Sequence, residues 1–316
     1  MMRKPYIHTR PADAALEEVL DGLGKKQKTL PPKLFYDERG SQLFDAICDC
    51  DEYYVTRTEI KITNRYVRDI VRAIGPDAAL IEFGSGSSMK TRLLLDNIQR
   101  PAVYMPIDIS ESHLFASAER LRRAYPHLRV EPVHADYTRD LSLPILPAHA
   151  RKVAYFPGST IGNFLPLDAA AFMDRIASMV GPGGGLLIGV DLKKDASRLH
   201  AAYNDAGGIT AAFNLNILAH INRRWDANFD LSQWKHHAFY NERRGCIEMH
   251  LVSARNQEID IEGYRFRFNK DETIMTEYSY KYSIEEFHQL ADDAFRPQHI
   301  WTDPDRLFSL HYMTAI

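Results

Sequence analysis

The sequence predicts an α/β protein whose main body is a doubly wound, mostly parallel sheet, with a second α+β unit carrying an antiparallel sheet inserted late in the chain. Three observations predict it. Apolar runs of strand length alternate with helix-length amphipathic segments between residues 79 and 191, the pattern of a parallel sheet covered on both faces. The first of those runs, A-L-I-E-F at 79–83, passes directly into G-S-G-S-S-M-K-T, a strand leading through a glycine turn into a helix. Beyond Asp230 the alternation stops, and short segments rich in aromatic and β-branched residues repeat with period two.

Taken in order, residues 1–60 read as polar and helical. In L-P-P-K-L-F-Y-D-E-R-G-S-Q-L-F-D-A-I, Pro31 and Pro32 make the entry extended, Ser41 is the expected cap after Gly40, and a helix is centred on Gln42 to Ile47. Tyr36, Tyr53 and Tyr54 stand near loop or helix ends, where tyrosines either pack or form an aromatic lid over a ligand. Residues 57–74 form an amphipathic helix with Ile60, Tyr66, Val67, Ile70 and Val71 near 3.6 spacing. Strands at 79–83, 102–108, 128–133, 152–156 and 186–191 then alternate with helices at 88–98, 111–124 and 167–180, with Ser87 or Ser88 capping the first. After Asp191 two helices meet at Gly207 and Gly208. The segments H-H-A-F-Y-N, C-I-E-M-H-L-V-S, E-I-D-I, Y-R-F-R-F and T-I-M-T-E-Y-S-Y-K-Y read as the antiparallel sheet. Ser283 and Glu286 make a capping box, and Q-H-I-W-T-D and L-F-S-L-H-Y-M read as strands returning to the first sheet.

Bulk properties narrow the function. The 316 residues exceed one typical domain, and 39 basic against 42 acidic residues leave a net charge of −3. Such a balance gives no reason to expect nucleic acid or an anionic membrane as partner. No apolar run approaches the roughly 18 residues of a spanning helix, and M-M-R-K-P-Y-I-H-T-R has no apolar stretch behind its basic residues, so a soluble, cytoplasmic protein is expected. Cys48, Cys50 and Cys246 lack CxxC spacing, and the 13 histidines are scattered, so neither a disulfide framework nor a metal site is expected.

The glycine turn carries the chemistry. Gly84 and Gly86 let the backbone approach a ligand, but Met89 stands where a dinucleotide fingerprint has its third glycine, and no Walker sequence is present. Acidic Glu82 before the turn repels phosphate and suits a cation. Together these favour S-adenosylmethionine over a polyphosphate cofactor. Asp108 ends a second apolar run 22 residues after Gly86, where a carboxylate accepts from ribose hydroxyls. Asp136 ends a third and suits an adenine amino group, with Tyr137 beside it. The loop F-P-G-S-T-I-G-N-F at 156–164 lies at the carboxyl edge where such sheets bind ligands, Gly158 allowing close approach and Asn163 offering an acceptor and two donors.

The blocks P-P-K-L-F-Y-D-E-R-G-S-Q-L-F-D, E-Y-Y-V-T-R-T-E, E-F-G-S-G-S-S-M-K-T, G-S-T-I-G-N, A-Y-N-D-A-G-G-I-T-A-A-F-N, I-E-M-H-L and T-E-Y-S-Y-K resemble, in order and over nearly the whole chain, the S-adenosylmethionine-dependent histidine Nα-methyltransferases of ergothioneine biosynthesis. The resemblance implies a Rossmann-like class I methyltransferase fold. It implies a cofactor-binding domain at 58–191 and 284–316, and a substrate-recognition domain at 1–57 and 192–283. It implies transfer of methyl groups from S-adenosylmethionine to the α-amino nitrogen of L-histidine, three times, giving hercynine and S-adenosylhomocysteine, by a monomer without metal. By motif, Asn163 and Tyr203 resemble the pair that holds the substrate carboxylate, and Tyr53, Glu277 and Ser279 the group that reads the imidazole. Gly158, with Tyr36 and Thr210 through water, is similar to the surroundings of the α-amino group, while Phe213 and Met249 line the pocket. Gly84, Gly86, Lys90, Asp108, Asp136 and Tyr137 match the cofactor side. Val55 stands where the family has proline, and Gly208 where it has alanine.

Three rival readings follow from the same residues. A methyltransferase of this fold acting on another amino acid, such as a tryptophan derivative, is opposed by Glu277 and Met249. A nicotinamide-dependent oxidoreductase is opposed by Met89 at the third-glycine position. A non-catalytic cofactor-binding protein is distinguished by turnover of the purified chain.

Overall fold

The structure, a computed structural model, describes residues 13–316 apart from 87, 88, 140, 142 and 148. In chain order it contains α1 (Ala14–Gly24), β1 (Lys28–Thr29), α2 (Glu38–Asp49), α3 (Tyr54–Ile74), β2 (Ala78–Phe83), α4 (Met89–Leu95), β3 (Val103–Asp108), α5 (Glu111–Ala124), β4 (Val133–His134), β5 (Arg151–Phe156), α6 (Pro166–Val180) and β6 (Gly185–Asp191). There follow α7 (Ala196–Tyr203), α8 (Ile209–Trp225), β7 (Trp234–Asn241), β8 (Cys246–Ser253), β9 (Gln257–Ile261), β10 (Tyr264–Phe268), β11 (Thr273–Tyr280), α9 (Ile284–Ala291), β12 (Phe295–Thr302) and β13 (Phe308–Ala315). Short 3-10 turns span Pro32–Phe35 and Thr160–Asn163.

The main sheet has strand order β12-β13-β6-β5-β2-β3-β4. Its five strands from β6 to β4 are parallel, and β13 and β12 return antiparallel at one edge. Alternate residues of its strands enter different cores, which is why those strands are apolar throughout. Leu80, Val153, Tyr155 and Leu187 join the cluster containing Ile62, Ile70 and Ile74 of α3. Ile81, Ala154, Phe156, Leu186 and Ile188 join the one containing Phe172 and Met173 of α6 and Phe287 of α9. This is the doubly wound arrangement that the alternation predicts. The first cluster continues into Ile247, Met249, Leu251 and Ile274 of a second sheet, ordered β1-β11-β8-β7. The α+β insertion therefore shares a core with the main body.

Several expectations need correction. The helix expected from Ser41 begins at Glu38, because Asp37 supplies the cap, its Oδ1 accepting from the Gly40 amide at 2.7 Å. Ser41 is buried inside that helix. The strand expected at 128–133 shrinks to Val133–His134 plus a bridge from Val130 to Tyr104, since Pro132 has no amide for the ladder. The segments at 257–261 and 264–268 form their own hairpin rather than joining the second sheet, and β1 pairs parallel to β11 instead. That hairpin turns at Glu262 and Gly263, both with positive φ (50° and 85°), the geometry that matches strand twist. On α3 the buried stripe runs through Val55, Thr58, Glu59, Ile62, Thr63, Ile70 and Ile74, while Ile60, Tyr66 and Val67 are half-buried. The caps at Ser87 or Ser88 lie outside the described residues. The helix pair at Gly207 and Gly208 holds, with Gly208 at φ +68° heading α8. Among the described residues no helix is long and apolar enough to cross a membrane.

The capping box at the start of α9 has both of its bonds, Glu286 N–H to Ser283 Oγ at 3.1 Å and Ser283 N–H to Glu286 Oε2 at 2.7 Å. Ser283→Ala is expected to cost about 1 kcal/mol in a denaturant titration. A loss within error of zero contradicts a working cap.

Candidate functional site

The carboxyl ends of the parallel strands open onto a groove of about 760 Å³, continuous with a smaller inner cavity of about 50 Å³. Tyr36, Phe44, Thr160 and Asn163 line both. Gly84 and Gly86 both take positive φ (70° and 46°), so the chain leaves β2 in a turn that bends toward β3. The turn is held by Gly84 N–H to Ile107 C=O at 2.8 Å and Gly86 N–H to Asp108 Oδ2 at 3.1 Å. The other Asp108 oxygen accepts from Ser110 N–H at 2.9 Å. Asp136 accepts from Lys33 Nζ at 2.8 Å and Thr138 N–H at 3.0 Å. Burial opposes its charge, but Lys33 and Thr138 together hold its pKa below the usual carboxylate range. Tyr137 packs edge-on against Phe83 and Phe156, and burial holds its phenol protonated.

Gly84, Gly86, Asp108, Asp136 and Tyr137 all line the groove. Lys90 does not: its ammonium pairs with Glu59, at the junction with the 158 loop. Glu82 departs from the expectation of a ligand-facing charge. It is 1% exposed, accepts from Thr91 Oγ1 and Tyr104 OH, and is pushed up to about 7 by burial against those bonds. A central strand buried on both faces turns it into the sheet's packing instead of toward the groove.

The inner cavity gathers every residue named for the acceptor: Tyr36, Tyr53, Gly158, Asn163, Tyr203, Thr210, Phe213, Met249, Glu277 and Ser279. Three elements explain the convergence. On β11 the register shifts between Met275 and Glu277, and from there period two sends Glu277, Ser279 and, just past the strand, Lys281 to one face. Glu277 is 7% exposed, burial pushes it up to about 7, and Lys281 pulls the other way. Asn163 Nδ2 donates to its Oε2 at 3.2 Å. Next, the 158 loop is pinned from beneath. Gly158 N–H donates to both Glu59 carboxylate oxygens at 3.1 and 3.0 Å, and Asp191 N–H donates to Ser159 Oγ at 2.9 Å. Finally, Asp205 caps α8 by accepting from Ile209 and Thr210 N–H at 2.8 Å each. This fixes Thr210, the second residue of α8, in the cavity wall.

Sequence reasoning missed four charged residues here. Lys281, 1% exposed at its side chain, bonds Asp191, Ser279 and Tyr203. Asp191 also accepts from Tyr54 OH at 2.8 Å and from Lys194. Glu59 is fully buried, and Lys33 bridges Glu18 and Asp136. Two of these were visible: Lys281 continues the alternation of T-E-Y-S-Y-K, and Glu59 falls in step with Val55 and Ile62 on the helix. Lys33 and Asp191 had no signal beyond being charged near a turn or strand end.

Glu59 holds the Gly158 amide and Lys90 without lining either cavity. Glu59→Ala is expected to lower unfolding free energy by about 3 kcal/mol in a denaturant titration, because a buried charged acceptor is removed from its donors. A change under about 0.5 kcal/mol contradicts the anchoring role.

The sequence family described as histidine-specific methyltransferase, SAM-dependent, matches residues 15–315. A histidine N-alpha-methyltransferase of Mycolicibacterium smegmatis is 39% identical over 305 residues, covering 95% of this chain and 94% of that protein. One of Mycobacterium tuberculosis is 38% identical, covering 94% of each. Ergothioneine biosynthesis protein 1 of Neurospora crassa is 32% identical over 78% of this chain and 30% of its own length. With a family match from residue 15 to 315 and relatives 38–39% identical over nearly the whole chain, the chain belongs to the histidine-specific, S-adenosylmethionine-dependent methyltransferases.

Proposed function

We propose that this chain trimethylates the α-amino nitrogen of L-histidine to give hercynine, the first step of ergothioneine biosynthesis. The observation that carries the reading is the inner cavity, where Glu277 and Ser279 share one face of β11 and Asn163, Tyr203 and Thr210 close around them. S-Adenosylmethionine supplies the methyl group on a positively charged sulfur. On the chain's side, Gly84 and Gly86 admit that cofactor to the groove, Asp108 accepts from its ribose, Asp136 and Tyr137 meet its adenine, and Lys90, paired with Glu59, serves the cofactor side from behind the groove lining. Residues 58–191 and 284–316 serve the cofactor, and residues 1–57 and 192–283 the acceptor.

In-line displacement at a methyl carbon needs a neutral amine held about 3 Å away and little covalent help, so positioning carries the rate. Asn163 and Tyr203 hold the carboxylate, and Tyr53, Glu277 and Ser279 hold the ring. Phe213 and Met249 fill the walls, and Gly158 leaves room beside the nitrogen for it to turn between rounds. Tyr36 and Thr210, both in the cavity wall, reach the amine through water. Desolvation in the cavity and a neighbouring positive charge lower an α-ammonium from its ordinary pKa of about 7.7–8.0, which favours the neutral, reactive form. The acceptor is the free amino acid: the net charge of −3 gives no pull toward nucleic acid or an anionic membrane. A cytoplasmic location is in keeping with three unpaired thiols, and the chain is taken to act as a monomer.

The ring readers set specificity. An acceptor with an apolar ring gives the buried Glu277 carboxylate no donor beyond Asn163, at about 1–3 kcal/mol. Glu277→Ala is therefore expected to lower kcat/KM for histidine by about 10- to 100-fold and to shift the preference toward tryptophan. An unchanged histidine-to-tryptophan ratio contradicts the assignment of Glu277 to the ring.

A further inference from the structure

Beneath the cavity the hydrogen bonds can be counted proton by proton. The Lys281 ammonium has three protons, and three acceptors surround it: Asp191 Oδ2 at 2.8 Å, Ser279 Oγ at 2.8 Å and Tyr203 OH at 3.1 Å. None is left for a ligand. Ser279 Oγ and Tyr203 OH are themselves 2.8 Å apart, so one of their two hydroxyl protons lies between them and one remains. We propose that this pair, held by Lys281, offers the bound amino acid a single proton, and that histidine binding consequently takes up one proton from solvent.

The proposal rests on the histidine reading above. If Tyr203 donates to the substrate carboxylate, the proton between the two hydroxyls is Ser279's own, and Ser279 shows the ring only a lone pair. Glu277, ionised, also shows the ring only lone pairs. An imidazole between them meets two acceptors, and its neutral form has one N–H. One additional proton resolves the mismatch, lying between the second ring nitrogen and Glu277. It arrives from water, and no bond between heavy atoms changes. Imidazolium against carboxylate and neutral ring against carboxylic acid are the two descriptions of that one shared proton.

The surroundings suit such sharing. Burial pushes Glu277 up to about 7, Lys281 working against it, and a free imidazole titrates near 6.5. The groups facing Glu277 from other elements are Tyr36, Tyr53 and Tyr203, each held protonated by burial. Behind Lys281, Asp191 stays ionised: burial opposes its charge, and Lys281 and Lys194 outweigh it. Lys194, on the far side of Asp191, is brought down to about 8 by burial.

The test uses Nα-trimethylated histidine, whose quaternary nitrogen does not titrate, and enzyme saturated with S-adenosylhomocysteine. Its Kd is measured by calorimetry from pH 7.5 to 9.5. The expected result is a Kd rising roughly tenfold per pH unit, the signature of one proton taken up. In Tyr203→Phe the Ser279 proton is free to donate to the ring, and in Ser279→Ala one of the two acceptors is gone. Both variants are expected to show a Kd changing less than about twofold per unit. Lys194 titrates in the same window in all three proteins, so the difference in slope isolates the hydroxyl pair. A pH-independent Kd in the unaltered enzyme, or an unchanged slope in both variants, overturns the proposal. Failure of the unaltered enzyme to bind the trimethylated amino acid overturns the histidine reading itself, and the proposal with it.

Discussion

One buried carboxylate, Asp191 at the end of β6, fixes where the two sheets meet. It accepts from Tyr54 OH on α3, from Lys194 after β6 and from Lys281 after β11, while its own amide holds Ser159. A carboxylate withdrawn from water is tolerated only when such donors surround it, and removing one leaves the others uncompensated. The arrangement therefore has little freedom. Lys281 lies where Asp191 puts it, Ser279 and Tyr203 lie where Lys281 puts them, and the floor of the inner cavity follows from these contacts. Glu59 does the same one layer away, placing the Gly158 amide and Lys90 at once. Ion pairs of this kind are weak evidence for stability, and their contribution here is geometric.

The fold explains why chemistry collects at this edge. In a doubly wound sheet the carboxyl ends of the strands leave a crevice, and β2, β3, β4 and β5 each end in a turn that faces it. The second sheet adds the wall that a cofactor-binding sheet lacks. Glu277 and Ser279 of its strand β11, and Lys281 just past the strand, are all buried, so one short stretch brings a carboxylate, a hydroxyl and a buried cation to the same place. Gly162 makes the approach possible: a Cβ there would meet the Tyr280 carbonyl oxygen at 2.6 Å. The inner cavity is thus the seam between the two sheets, with a common hydrophobic core running behind it.

Much of this was legible in the sequence because it is periodic or punctuated. The strand-helix alternation, the glycine turn, the α9 capping box and the returning β12 and β13 all follow from spacing, and every acceptor-side residue named from its motif lines the inner cavity. What escaped was set by partners distant in sequence. Glu82 looks like a ligand-facing acid until Thr91 and Tyr104 are found around it. Glu59 interrupts an apolar stripe, and the reason appears only when Gly158, 99 residues later, donates to it. Asp37 displaced Ser41 as a cap because both residues are good caps and the chain uses the earlier one. Lys281 was within the quoted motif, and period two alone would have placed it beside Ser279.

On the reading above, the cavity selects histidine and methyl transfer goes to completion on its α-nitrogen. The most direct measurement is product mass after incubation of the purified chain with S-adenosylmethionine and each of the twenty amino acids separately. The expected result is a gain of three methyl groups on histidine and none on the others. Methylation of a different amino acid with none on histidine would keep the fold and the cofactor groove and contradict the reading of Glu277 and Ser279.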